Sequence, residues 1–181
     1  NGVTVGVPGA RDTAFSFDGD NDMVFVADNP AIEFQDCNFT IAFWMKSTMP
    51  PDSGLFTLPY EPRILCKGSD NQIDSTQPPY DPGTGKRYQF YLNRRYLLLR
   101  FCIDDNTDPI YGKSQAETAW EKAVSGSWVH VAGVRDTAAD KLRLFLDGAL
   151  ESIAVDQSGN IDSDSENLII ANGPHTGIIG N

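Results

Sequence analysis

The stretch from Trp128 to Gly148 constrains the fold more than any other part of the chain. Its first half puts Trp128, His130, Ala132 and Val134 on one side and Val129, Val131 and Gly133 on the other. That period of two belongs to a strand, because successive side chains of extended backbone point to opposite faces. In the second half Leu142, Leu144 and Leu146 alternate with Lys141, Arg143, Phe145 and Asp147. The polar interval from Asp136 to Asp140 predicts a hairpin turn. Asp147-Gly148 offers two residues able to take the positive φ of a type I′ turn, so a third strand, Ala149 to Val155, should fold straight back. A helix through Thr137 to Leu146 is excluded, since its apolar residues recur at two rather than at three and four. Three such strands form a meander, which predicts a sheet protein.

Other segments carry the same period. Phe39, Ile41, Phe43 and Met45 face one way and Thr40, Ala42, Trp44 and Lys46 the other, a pattern long enough to predict a strand in the middle of a sheet. Trp44 reads there as a packing residue in preference to a ligand platform, since indoles dominate core burial. Arg87 to Asn93 and Tyr96 to Ile103 predict a hairpin joined near Asn93-Arg94-Arg95, with both faces covered. Thr13 to Phe17, Met23 to Val26 and Asn167 to Ala171 predict short strands, and Asn29 to Phe34 a connector with one helical turn. Asn1 to Asp12 reads as a loose lead-in strand. Glu117 to Val124 fits either a strand or a helical turn, with Glu117 and Glu121 four apart.

These segments, in this order, resemble the laminin-G-like domains of the concanavalin A-like lectin/glucanase superfamily. The resemblance rests on Ala14-Phe15-Ser16-Phe17-Asp18-Gly19 with Met23-Val24-Phe25-Val26, on Phe39 to Lys46, on Ile64-Leu65-Cys66-Lys67-Gly68, and on Trp128 to Gly148. It covers nearly the whole chain. What it implies is an all-β fold, a two-sheet antiparallel jelly-roll sandwich in a single domain over residues 1–181, usually a non-catalytic carbohydrate- or protein-binding module and often a holder of calcium. Domains of this type continue after a Gly-x-Ile-Gly segment into a last strand. Here Gly177-Ile178-Ile179-Gly180-Asn181 ends the sequence, so the resemblance implies that this strand is missing or comes from elsewhere in a larger assembly.

Length and charge set outer limits. A chain of 181 residues suits one domain better than two. A formal net charge of −11 argues against nucleic acid, whose phosphates demand clustered Lys and Arg. No apolar run approaches the ~20 residues needed to cross a bilayer, and Asn1-Gly2-Val3 opens no leader, although one removed earlier stays open. Cys37, Cys66 and Cys102 are odd in number and lack zinc-ligand spacing, so buried thiols are favoured over a disulfide.

Function is sought in the acidic and proline-bearing loops. Asp18, Asp20 and Asp22 stand at alternate positions around a glycine and can converge on calcium, a hard cation of six to eight oxygen ligands. The same aspartates can instead cap backbone amides of a polar turn. Asp162, Asp164 and Glu166 repeat that spacing. Thr48 to Pro62 and Ser69 to Lys86 are long irregular segments, and loops of this length are uncommon unless functional or disordered. Tyr60 and Tyr80 within them are candidate sugar-stacking or partner-contacting aromatics, or anchors of their own loops. Asp104, Asp105, Asn106 and Asp108 are the matching ligand-binding oxygens at a strand end, or an acidic turn.

No catalytic set is visible. A retaining glycosidase needs two carboxylates about 5–5.5 Å apart, which two acids separated by one residue on a strand would supply, and no such strand exists. His130 reads as a hydrogen-bonded structural imidazole rather than a general base. The sequence therefore predicts an extracellular or surface-exposed binding module, secreted or on a cell or virion. Its partner would be carbohydrate or a surface protein, with calcium as the candidate cofactor. The alternative is a structural or interaction module, a decoration or adhesin domain in a larger assembly.

Overall fold

The structure, a computed structural model, describes residues 2–18, 22–47, 63–68, 86–93, 96–107, 113–163 and 166–171. Twelve strands are assigned among these residues. They run β1 Thr4–Pro8, β2 Thr13–Ser16, β3 Val24–Val26, β4 Phe39–Met45, β5 Arg63–Gly68, β6 Arg87–Asn93, β7 Leu98–Asp104, β8 Lys113–Ala119, β9 Val129–Asp136, β10 Lys141–Leu146, β11 Ala149–Val155 and β12 Leu168–Ile170. One helical turn, α1, spans Trp120–Ala123, and a 3-10 turn covers Pro30–Ile32. The strands form a four-stranded sheet ordered β11-β10-β9-β4, a six-stranded sheet ordered β3-β12-β5-β6-β7-β8, and a separate β1-β2 hairpin. Every pairing is antiparallel.

The core lies between the two larger sheets. Phe39, Met45, Val129, Val131, Leu142 and Leu144 project from one sheet, and Tyr88, Phe90, Leu92, Leu99, Phe101 and Ile103 from the other. The alternation of β9 and β10 decides this. Val129, Val131, Gly133 and Arg135 are buried on one side of β9, and Leu142, Leu144 and Leu146 on one side of β10. At Gly133 rings of the facing sheet pack directly on the backbone: a Cβ there would lie 2.5 Å from Phe90 Cζ and 2.8 Å from Phe101 Cγ. Those two rings are stacked with centroids 4.7 Å apart. The Asp147-Gly148 turn takes φ values of 48° and 81°, as the sequence requires of it.

Three expectations are corrected. β4 ends the four-stranded sheet rather than filling its middle, because among the described residues only β9 pairs with it. Trp44 is not a core residue either; it alternates with the core-facing Phe43 and Met45 and stands on the outer face, 41% exposed. Glu117 to Val124 is neither all strand nor all helix. β8 runs to Ala119, after which Trp120 donates its backbone N–H to Leu97 O at 2.9 Å and α1 tucks Trp120 and Ala123 into the core. Cys66 and Cys102 are buried free thiols, as the apolar strand patterns around them suggest, and Cys37 is free and exposed.

Candidate functional site

The acids at the end of β7 are held by the protein itself. Asp104 is buried and its Oδ2 accepts from Arg87 Nη2 at 3.0 Å, while its Oδ1 accepts from the Asn106 N–H at 2.9 Å. Asp105 Oδ1 accepts from both the N–H and the hydroxyl of Thr107, and Oδ2 from the Gly159 N–H at 2.6 Å. Burial works against its charge, but these donors outweigh burial and hold the carboxyl below the ordinary aspartate range. Asn106 is exposed with a φ of 62°, the left-handed conformation that asparagine tolerates. Thus Asp104 and Asp105 shape the turn, and Asn106 is the described member that faces solvent. Asp108, Tyr60 and Tyr80 lie outside the described residues.

A second set of carboxylates surrounds two buried cations. Arg135 Nε donates to Asp156 Oδ2 at 2.8 Å, and its other nitrogens reach the carbonyls of Gln35, Ser158 and Gly159. One side chain thereby ties residues 156–159 to the core. Lys67, fully buried on β5, donates to Asp28 Oδ1 at 2.7 Å and to the Glu166 carbonyl, and forms an ion pair with Glu33. Burial disfavours the ammonium, but the bonds to Asp28 and Glu33 prevail and raise its pKa above that of an ordinary lysine. Asp162 Oδ2 accepts from Gln35 Nε2 at 3.3 Å, and Asp164 lies outside the described residues. Lys67 thus meets Glu166 through its backbone carbonyl rather than its carboxylate, and its carboxylate partners are Asp28 and Glu33.

The β2–β3 turn differs. Asp22 is 6% exposed; its Oδ2 accepts from the Asp18 N–H at 3.0 Å, while its Oδ1 is buried without a hydrogen-bond partner. A bare buried carboxylate oxygen is costly, and a cation is one means of satisfying it. Asp20 is outside the described residues. No group of three or more metal-ligating side chains occurs among the described residues.

An open depression of about 380 Å³ lies elsewhere, on the outer side of the four-stranded sheet, and Arg11, Trp44, His130 and Asp147 line it. Strand register builds it. Trp44 on β4 pairs with His130 on β9, and their rings meet edge to face with centroids 5.2 Å apart. The type I′ turn brings Asp147 alongside: its Oδ1 accepts the His130 N–H at 2.8 Å, and its own N–H donates to His130 O at 2.8 Å. Arg11 arrives from the β1–β2 turn, closed by a 2.9 Å bond from Gly9 N–H to Asp12 O. His130 is therefore corrected from its sequence reading, since its main chain makes the bond to Asp147 while its ring faces the depression. The sequence held one signal for this site: a tryptophan on the same strand face as Thr40, Ala42 and Lys46 has polar or small company.

No curated protein sequence matches the chain. Among solved structures, the carbohydrate-binding module (CBM40) of the Ruminococcus gnavus IT-sialidase, bound to α2,3-sialyllactose, superposes with a TM-score of 0.54 at 12% identity, over 90% of this chain and 86% of that one. Domains LG4-5 of the mouse laminin α1 chain give 0.56 at 10% identity, over 97% of this chain and 42% of theirs. The binding domain of botulinum neurotoxin DC, in complex with rat synaptotagmin II, gives 0.51 at 12% identity, over 92% and 33%. Identities this low establish a shared fold. A laminin G-like family model matches residues 17–179. With the two-sheet antiparallel sandwich and that match along most of its length, the chain belongs to the concanavalin A-like lectin/glucanases superfamily.

Proposed function

We propose that the protein is a non-catalytic, surface-exposed or extracellular module that recognises carbohydrate through the depression bounded by Trp44. The single observation that carries this reading is the outward-facing Trp44, a residue 41% exposed that lines a depression together with Arg11, His130 and Asp147. An aromatic face covers the C–H surface of a pyranose ring, and neighbouring donors and acceptors fix the hydroxyls. The similar carbohydrate-binding module supports the class of ligand, and the engagement of Asp104, Asp105 and Asp156 in structural bonds favours Trp44 over the β7 end as the contact point. Those structural roles also support a non-catalytic reading. The test is a glycan array followed by calorimetry: binding is expected for the wild type and is expected to weaken about tenfold or more in Trp44→Ala.

Calcium belongs to this proposal at the Asp18–Asp22 turn, where the unpartnered Asp22 Oδ1 fits a cation. Its role there would be to fix the turn. Added calcium is expected to raise the melting temperature of the wild type and to leave that of Asp22→Asn unchanged; equal responses would contradict the assignment.

One observation favours a second reading, a structural module that docks against protein. Leu150, Ile153 and Val155 on β11 are each at least half exposed. Light scattering of the purified chain separates the readings: a glycan-blind oligomer supports docking, and a sugar-binding monomer supports recognition.

A further inference from the structure

Among the described residues the depression holds two opposite charges, and they bear on the class of sugar. Among the described residues neither the Arg11 guanidinium nor the Asp147 Oδ2 has a hydrogen-bond or ion-pair partner; Asp147 commits only Oδ1, to the His130 N–H. Both groups are exposed, beside an exposed indole. A free guanidinium alone would suit a carboxylate-bearing sugar. A carboxylate ligand entering the same depression of about 380 Å³ would, however, meet the open Asp147 oxygen, and like charges at that range repel. At longer range a formal charge of −11 opposes an approaching polyanion. Hydroxyl groups face neither penalty. They donate to a carboxylate and accept from a guanidinium, so a neutral sugar answers both charges at once.

We infer that this site takes a neutral pyranoside, its ring against Trp44 and its hydroxyls shared between Asp147 Oδ2 and the Arg11 guanidinium. The inference rests on the carbohydrate reading above and narrows it. Asp147→Asn is the discriminating variant. Asparagine tolerates the left-handed φ of 48° at this position and keeps an oxygen for the His130 N–H, so the turn survives while the charge is removed. A neutral ligand loses its charge-assisted bonds and binds about tenfold more weakly. An anionic ligand loses a repulsion and binds more tightly.

The experiment pairs neutral glycans with carboxylate-bearing counterparts, lactose with sialyllactose and cellobiose with cellobiouronic acid, within a broader array. The glycans that bind are then titrated into wild type, Trp44→Ala, Arg11→Ala and Asp147→Asn, each checked for an unchanged fold by circular dichroism. Binding confined to neutral members, weakened in all three variants, supports the inference. Binding confined to acidic members, lost in Trp44→Ala but strengthened in Asp147→Asn, overturns the neutral-sugar assignment and leaves the carbohydrate reading standing. Binding indifferent to Trp44→Ala, or no binding to any glycan, overturns both.

Discussion

Arg135 illustrates how single charges hold the rim together. It is 1% exposed, yet its guanidinium satisfies Asp156 and three backbone carbonyls from two separate segments. Arg135→Ala would leave Asp156 as a buried, uncompensated charge, which costs about 3–5 kcal/mol. Urea unfolding should register that loss as a lower midpoint with an unchanged slope. Asp105 gives a pH-dependent counterpart. Its folded pKa lies below the unfolded one, so its contribution is complete above the unfolded value of about 3.9 and disappears as pH falls through the folded value. Asp105→Asn should therefore be less stable than wild type near neutrality and should lose less of its stability on acidification below about pH 4. Parallel acid limbs for the two proteins would contradict this. Neither role was legible in the sequence. The spacing of acids in a loop is the same whether they bind calcium, a sugar or an arginine, and only the fold brings Gly159 to Asp105 or Arg135 to Asp156. Lys67 makes the same point, since its partners Asp28, Glu33 and Glu166 come from segments on either side of it along the chain.

The β9–β11 meander was legible in full, because each strand carries its own period and each turn its own chemistry. β4 was legible as a strand but not as the end of a sheet. Its apolar face is the same in either position, and what differs is the set of neighbours, which alternation does not encode. Trp44 lies outside the core for a separate reason, since it alternates along β4 with the core-facing Phe39, Ile41, Phe43 and Met45. Glu117 to Val124 remained ambiguous because the helical turn is stabilised by Leu97, twenty-three residues before Trp120, through a single backbone bond. Gly133 tests the packing of β9 on the facing sheet. Gly133→Ala would drive a methyl group into the Phe90–Phe101 stack, and neither ring is free to turn aside in a filled core. Overpacking of this kind costs about 1–3 kcal/mol. Thermal unfolding should show the loss as a lower midpoint.

The molecule as a whole separates support from contact. Its buried charges, Lys67, Arg87 and Arg135, pair with Asp28, Asp104 and Asp156, while the uncommitted polar groups of Arg11 and Asp147 gather beside Trp44 on the outer sheet face. A fold shared with proteins as different as laminin LG domains and a sialidase module places the discriminating information in such surface groups rather than in the sandwich. The most direct test is titration calorimetry of the best array glycan against wild type and Trp44→Ala at matched stability. A loss of about tenfold or more in affinity for Trp44→Ala is the predicted result; equal affinities would show that sugar, if bound, is held elsewhere.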